Sequence, residues 1–249
     1  MQPDKVFLPA ILIPVYNHEA AIPVTLERVL KSGLPVLLVD DGSDEPCQKV
    51  LQHLAEKQPE RVFLHRLSVN GGKGAAVKAG LRWLQQAGYS HGLQLDADGQ
   101  HDINDIETFI ACAKASPEAL VSGYPQYDDS VPKLRLYSRY LTHIWIWINT
   151  LSFAIKDSMC GFRVYPLNRA VPLLESCGNR MDFDPEIIVR WFWRYPDIIN
   201  IPTRVLYPID GVSHFLLWKD NGLITLMHTR LFFGMLCRLP RLLWRKRHG

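Results

Sequence analysis

HGLQLDADGQH, residues 91–101, is an apolar run that stops at two aspartates one residue apart, Asp96 and Asp98. A short apolar run closed by Asp, Gly and Gln reads as a buried β-strand running into a polar turn. Two like charges at such a place repel, and burying either carboxylate without a partner costs several kcal/mol. A third charge of opposite sign would remove the problem, and the identity of that charge bears on the fold and the chemistry together.

Working outward, residues 10–15, 35–40, 61–67 and 119–123 are similar short apolar runs. Between them, residues 19–31, 45–57, 73–87 and 103–115 carry apolar side chains at helical spacing. This alternation predicts an α/β fold, a doubly wound and mostly parallel sheet covered by helices on both faces. Ligands bind such sheets beyond the carboxyl ends of the strands. The first run ends in Pro14-Val-Tyr-Asn17, the second in Asp40-Asp-Gly-Ser43 and the fourth in Asp96-Ala-Asp98, so the polar clusters share one edge. Beyond Gly123 the spacing predicts helices over 133–155 and 185–194 and extended segments over 160–165 and 198–208. An apolar, basic tail with a break at Pro240 follows.

The 249 residues are 47% hydrophobic and 21% charged, the balance of a globular protein. Five scattered cysteines without C-x-x-C spacing argue against a disulfide framework or a zinc site. No secretory pattern opens the chain, and its most apolar stretch, 141–155, falls short of the ~20 residues of a membrane span. A cytoplasmic protein is expected. The basic residues gather at one end without a base-reading motif, so nucleic acid is not an expected partner.

Asp96 and Asp98 with the amide of Gln100 suit a hard divalent cation, Mg²⁺ or Mn²⁺, that can bridge a nucleotide's phosphates. A turn with solvated aspartates is the plainer alternative. Asp40 and Asp41 are placed to accept hydrogen bonds from a ribose or a base, while Ser43 or Asp44 can cap the following helix. The stretch NGGKGAA, 70–76, fails both the P-loop and the dinucleotide patterns, but leaves Lys73 at a glycine-rich helix start as a docking point for an anion. Arg163 reads equally as a phosphate clamp or a surface ion pair. Asp184 suits a helix N-cap as well as a catalytic role, and a lone His214 is more often structural than a ligand.

In order, PVYN, VDDGS, NGGKGAA, DADGQH, CGFRVY, FDPEI and the late SH resemble the inverting glycosyltransferases of family two, with the GT-A fold. DADGQH with GFR is similar to the branch of dolichyl-phosphate mannose synthases and other polyprenyl-phosphate sugar synthases. The resemblance implies a GT-A domain over 1–215, its nucleotide-sugar half at 1–123 and its acceptor half at 124–215, followed by a basic amphipathic segment at 216–249. It implies a nucleotide pocket of Pro14, Tyr16, Asp40, Asp41, Lys73 and Asp96, and a metal held by Asp96, Asp98, Gln100 and His214. Asp184 or Glu186 falls where the family keeps its catalytic acid, with Asp98 the principal metal contact. The donor would be a UDP- or GDP-sugar.

A hydroxyl acceptor would need Glu186 or Asp184 as general base. A lipid phosphate needs none, only cations such as Arg163, Arg135 or Arg139. The tail joins Leu, Phe, Met and Trp to one-sided positive charge, which suits a peripheral position on the anionic inner face of the cell membrane, each basic residue adding about 1 kcal/mol. A core helix with a solvated basic end accounts for the tail equally well. Transfer to a hydroxyl of a lipid or pigment-like acceptor, nucleotidyl transfer, and a non-catalytic nucleotide-sugar-binding module are the competing readings.

Overall fold

The computed structural model describes residues 6–126, 133–204 and 217–248, with side chains placed for 6–126, 142–204 and 220–247. Among these, seven strands form one sheet: β1 (Pro9–Val15), β2 (Val36–Asp40), β3 (Val62–Arg66), β4 (His91–Gln94), β5 (Leu120–Gln126), β6 (Arg163–Pro166) and β7 (Ile198–Arg204). Their order is β3-β2-β1-β4-β6-β5-β7. All are parallel to their neighbours except β6, which runs antiparallel to both β4 and β5.

Consecutive residues of β1 and β2 pack on opposite faces, which is why these strands read as unbroken apolar runs. Leu12, Leu37 and Val39 meet α3 (Lys73–Gln86) and α7 (Phe183–Arg194) on one side. Ile11, Ile13, Val36 and Leu38 meet α1 (Ile22–Val29), α2 (Glu45–Lys57) and α4 (Ile106–Ala115) on the other. Gly80 lets α3 lie directly on the sheet, since a Cβ there would come within 2.2 Å of Leu12 Cδ1. Asp44 caps α2, accepting from the Cys47 N–H at 3.3 Å.

The sheet register puts Val15 beside Asp40 and Leu12 beside Gln94, so β1, β2 and β4 end at one edge. Because β6 is reversed, it begins where β4 ends, with Arg163 paired to Gln94. The reversal delivers residues 160–163 to the edge the other strands reach with their carboxyl ends.

The helix expected over 133–155 is α5 (Lys133–Thr150), closed by Leu151 in the left-handed region at φ 52°. The helix expected from 185 begins two residues earlier, with Pro185 inside the first turn, where its missing N–H costs no hydrogen bond. A short helix α6 (Leu167–Ala170) precedes α7, and the tail folds as α8 (Leu217–Leu236) and α9 (Leu239–His248). Met227, Leu231, Met235 and Leu242 of these two helices enter the same core as α3 and α7. The boundary expected at 215/216 lies outside the described residues.

Candidate active site

The charge that answers the paired aspartates within this chain is Lys73. From the first turn of α3 its Nζ lies 2.7 Å from Asp96 Oδ1 and 2.9 Å from Asp184 Oδ2. One ammonium therefore joins the end of β4 to the start of α7. Burial alone would lower the Lys73 pKa, but Asp184 and Asp96 outweigh it and hold the ammonium charged well above its ordinary range. Burial likewise pushes Asp96 up, and Lys73 with His101 more than reverses this, holding its carboxyl below the usual carboxylate range. His101 Nε2 stands 3.6 Å from Asp96 Oδ2, its ring 5.3 Å from that of Phe162.

Asp98 is treated differently. Its carboxylate accepts from the Gln100 backbone N–H at 3.1 Å and from Gln100 Nε2 at 2.7 Å. Burial and then the Asp96 charge raise its pKa, outweighing the Gln100 N–H, His101 and Lys73, so its ionised form is costlier here than in water. Gly99 makes the tight turn between these residues at φ 68°.

The acidic loop after β2 builds the edge and is turned inward. Asp40 is fully buried and accepts from the Ser43 N–H and from Arg66 Nε, each at 2.8 Å. Asp41 accepts from the Gly71 and Gly72 N–H groups, again at 2.8 Å, tying this loop to the start of α3. In this structure the oxygens of both hold the loops together, and both side chains are buried. The same bonds use two donors of the glycine-rich start, and the Ala75 N–H goes to Asn179 O. Three amides of this start are therefore engaged within the protein, and Lys73 brings its charge to the same place. Pro14 lies within β1 beside Val39 and is buried, and Tyr16 follows just beyond the strand end.

Arg163 is turned inward as well. It is fully buried, with Nη1 donating to Asp184 O and Nη2 to Ser158 O, both at 2.7 Å. Two of its nitrogens are thus engaged by carbonyls inside the protein. Arg163 fixes the backbone of Asp184.

The two candidate acids on α7 part company. Asp184 faces Lys73 and accepts from Gln94 Nε2 at 3.3 Å, while Gln94 Oε1 accepts from the Tyr165 hydroxyl at 3.2 Å. Burial pushes that hydroxyl up to about 12, so it remains a donor. Glu186 is fully buried, its oxygens taken by the Gly178 N–H at 2.8 Å, Arg190 at 2.7 Å and Arg230 at 3.1 Å.

Sequence reading passed over Gln94, His101 and Tyr165. Gln94 carried a signal, a lone amide inside an apolar strand that must find a partner when buried. Gly161 is similar: a Cβ there would lie 2.6 Å from both Asp96 carboxylate oxygens. Arg135, Arg139 and His214 have side chains outside the described residues.

A sequence profile described as "Glycosyl transferase family 2" matches residues 10–169. Among curated relatives, a dolichyl-phosphate beta-glucosyltransferase of Dictyostelium discoideum is 29% identical over 206 residues, covering 74% of this chain and 62% of that protein. A polyprenol monophosphomannose synthase of Mycolicibacterium smegmatis is 29% identical over 168 residues, covering 62% of this chain and 60% of its own length. The chain thus spans about three fifths of the length of these relatives. The mannosyltransferase PcManGT from Pyrobaculum calidifontis, solved with GDP-Man and Mn²⁺, shares the fold with a TM-score of 0.59 at 15% identity, over 92% of this chain and 64% of that one.

Proposed function

The chain belongs to glycosyl transferase family 2, and from that premise we propose that it moves a sugar from a UDP- or GDP-sugar to a polyprenyl phosphate, inverting the anomeric centre. The observation that carries this reading is the meeting of Asp96, Asp98, Lys73 and Asp184 at the carboxyl edge of a GT-A sheet. The relatives' names supply the acceptor class: dolichyl phosphate for one, a polyprenol monophosphomannose product for the other.

A divalent ion fits the residues present. Burial and the Asp96 charge make an ionised Asp98 costly, which a cation would relieve, and its oxygens with those of Asp96 and Gln100 are hard donors. Among the described residues no group of three His, Cys, Asp or Glu could hold a metal. That suits Mg²⁺ or Mn²⁺, which such sites bind through one or two carboxylates together with substrate phosphates. Bound there, the ion would neutralise the donor's diphosphate as it departs; PcManGT was solved with both Mn²⁺ and GDP-Man.

The chain's own groups do the rest. An acceptor phosphate is anionic at neutral pH, so its oxygen attacks the anomeric carbon while the bond to the diphosphate breaks and the diphosphate leaves with the electron pair. Lys73 brings positive charge to the edge, and Asp184 with Asp96 holds that ammonium in place. The network of Arg163, Tyr165 and Gln94 fixes Asp184 in turn.

A second reading, transfer to a hydroxyl, draws on Asp184, the α7 carboxylate that faces Lys73, as base. The test is a panel of UDP- and GDP-sugars with and without Mn²⁺, offered polyprenyl phosphate or polyprenol and followed by nucleoside diphosphate release. Release with the phosphate alone, only with metal, is expected. Release of pyrophosphate, or no turnover with any pair, sinks the proposal.

A further inference from the structure

At the far end of α7 from Asp184, roughly 15 Å along the helix at about 1.5 Å per residue, a cleft of about 200 Å³ opens between α7 and the α8–α9 junction. Four arginines line it, Arg190, Arg194, Arg238 and Arg241, together with Trp193 and Ser176, and no carboxylate does. Two of the guanidiniums are fixed by the fold. Arg190 is held by Glu186 at 2.7 Å, and Arg238 lies over the Trp193 ring, 4.6 Å from its centre, while donating to Gly234 O. Arg194 and Arg241 are exposed and pair with no carboxylate among the described residues. Guanidiniums gathered in one cleft repel unless an anion lies between them, and planar forks of N–H donors match phosphate oxygens in pairs.

We propose that this cleft is a second anion site, separate from the strand edge, that takes a phosphoryl group. Its volume lies below the roughly 300 Å³ at which pockets for drug-sized ligands begin, so it accepts a phosphate and not a whole nucleotide. The same chemistry is offered by a phosphomonoester lipid headgroup and by free phosphate. Arg194 and Arg241 are exposed, and the same two helices carry the exposed apolar side chains Phe233, Leu236, Leu243 and Trp244, so either source can reach it.

The test compares wild-type protein with two double variants, Arg194→Gln/Arg241→Gln in the cleft and Lys246→Gln/Arg247→Gln on the same helix outside it. Inorganic phosphate is titrated against the Trp193 indole N–H resonance, and phosphatidylcholine vesicles carrying phosphatidic acid are used for sedimentation. The cleft variant should weaken inorganic phosphate, vesicles or both by about tenfold or more beyond the control, which should stay within about threefold of wild type with inorganic phosphate and lose on vesicles only the increment of two interfacial charges. Loss on vesicles alone assigns a lipid headgroup, and loss with inorganic phosphate alone assigns a soluble anion. A cleft variant that binds both like wild type, or a control that loses as much as the cleft variant, overturns the site and leaves only diffuse surface charge.

Discussion

At the scale of single residues, Asp96 and Asp98 have the same chemistry two positions apart and opposite effects on stability. Asp96 titrates below its unfolded value, so its ionised form stabilises the fold above about pH 4 and that contribution is lost as pH falls further. Asp98 titrates above its unfolded value of 3.8, so its ionisation counts against the fold once pH rises through the raised value. With a chelator present at pH 7, Asp96→Asn should lower the melting temperature by about 2–4 °C, the effect of roughly 1 kcal/mol in a chain this size. Asp98→Asn should leave it unchanged or raise it, and both differences should shrink below pH 4. Adding Mn²⁺ with nucleoside diphosphate should then raise the wild-type melting temperature and leave that of Asp98→Asn in place. Calorimetry across pH checks the signs, and an Asp98→Asn protein less stable than wild type without metal would contradict them. The sequence exposed the conflict between these two acids but not its local answer, because Lys73 reaches them from a different element. It left Asp184 and Glu186 tied, although residues two apart on a helix point about 200° apart and only one can face a site.

At the scale of elements, one reversed strand explains how the edge is completed. The alternation of apolar runs and helices was enough to place β1 to β5, since strands buried on both faces leave that pattern. Residues 160–165 were legible as extended but not as antiparallel, because a period-2 pattern carries no direction. Direction matters here: had β6 run parallel to β4, residues 160–163 would stand at the opposite edge. Instead Gly161 sits against the Asp96 carboxylate with no space for a methyl group. Gly161→Ala should therefore push Asp96 away from Lys73. Overpacking of this kind costs about 1–3 kcal/mol, so the protein should still fold, while turnover with a nucleotide sugar should fall by about a hundredfold. Steady-state kinetics beside a melting curve separates the two, and normal turnover would show that Asp96 need not keep its place. The burial of Arg163 follows from the same reversal, since position 163 pairs with Gln94 in the middle of the sheet. In sequence it read equally as a phosphate clamp or a surface ion pair, because nothing local marks the two carbonyls that receive it.

For the whole molecule, the tail reading resolves into a division of faces. Met227, Leu231, Met235 and Leu242 are core, while Phe233 at 62% and Trp244 at 63% exposure face outward. No helix among the described residues is long and apolar enough to cross a membrane. An outward face that is apolar and basic at once fits the interface of an anionic bilayer, where aromatic rings enter the headgroup layer and each basic residue adds about 1 kcal/mol. If the proposed acceptor is a polyprenyl phosphate, that face and the strand edge must act on the same lipid surface. Leu243→Ser/Trp244→Ser removes apolar contact without touching charge, core or catalytic edge. It should lower binding to anionic vesicles by about tenfold or more, since burying a large apolar side chain is worth about 1.5–3 kcal/mol. Turnover should fall in parallel when the acceptor is embedded in vesicles, and stay within about twofold of wild type with a short-chain, water-soluble polyprenyl phosphate. The pairing of the two assays decides the matter: equal loss with both acceptors would place the defect in the catalytic cleft, and no loss with either would mean that α9 does not meet the membrane.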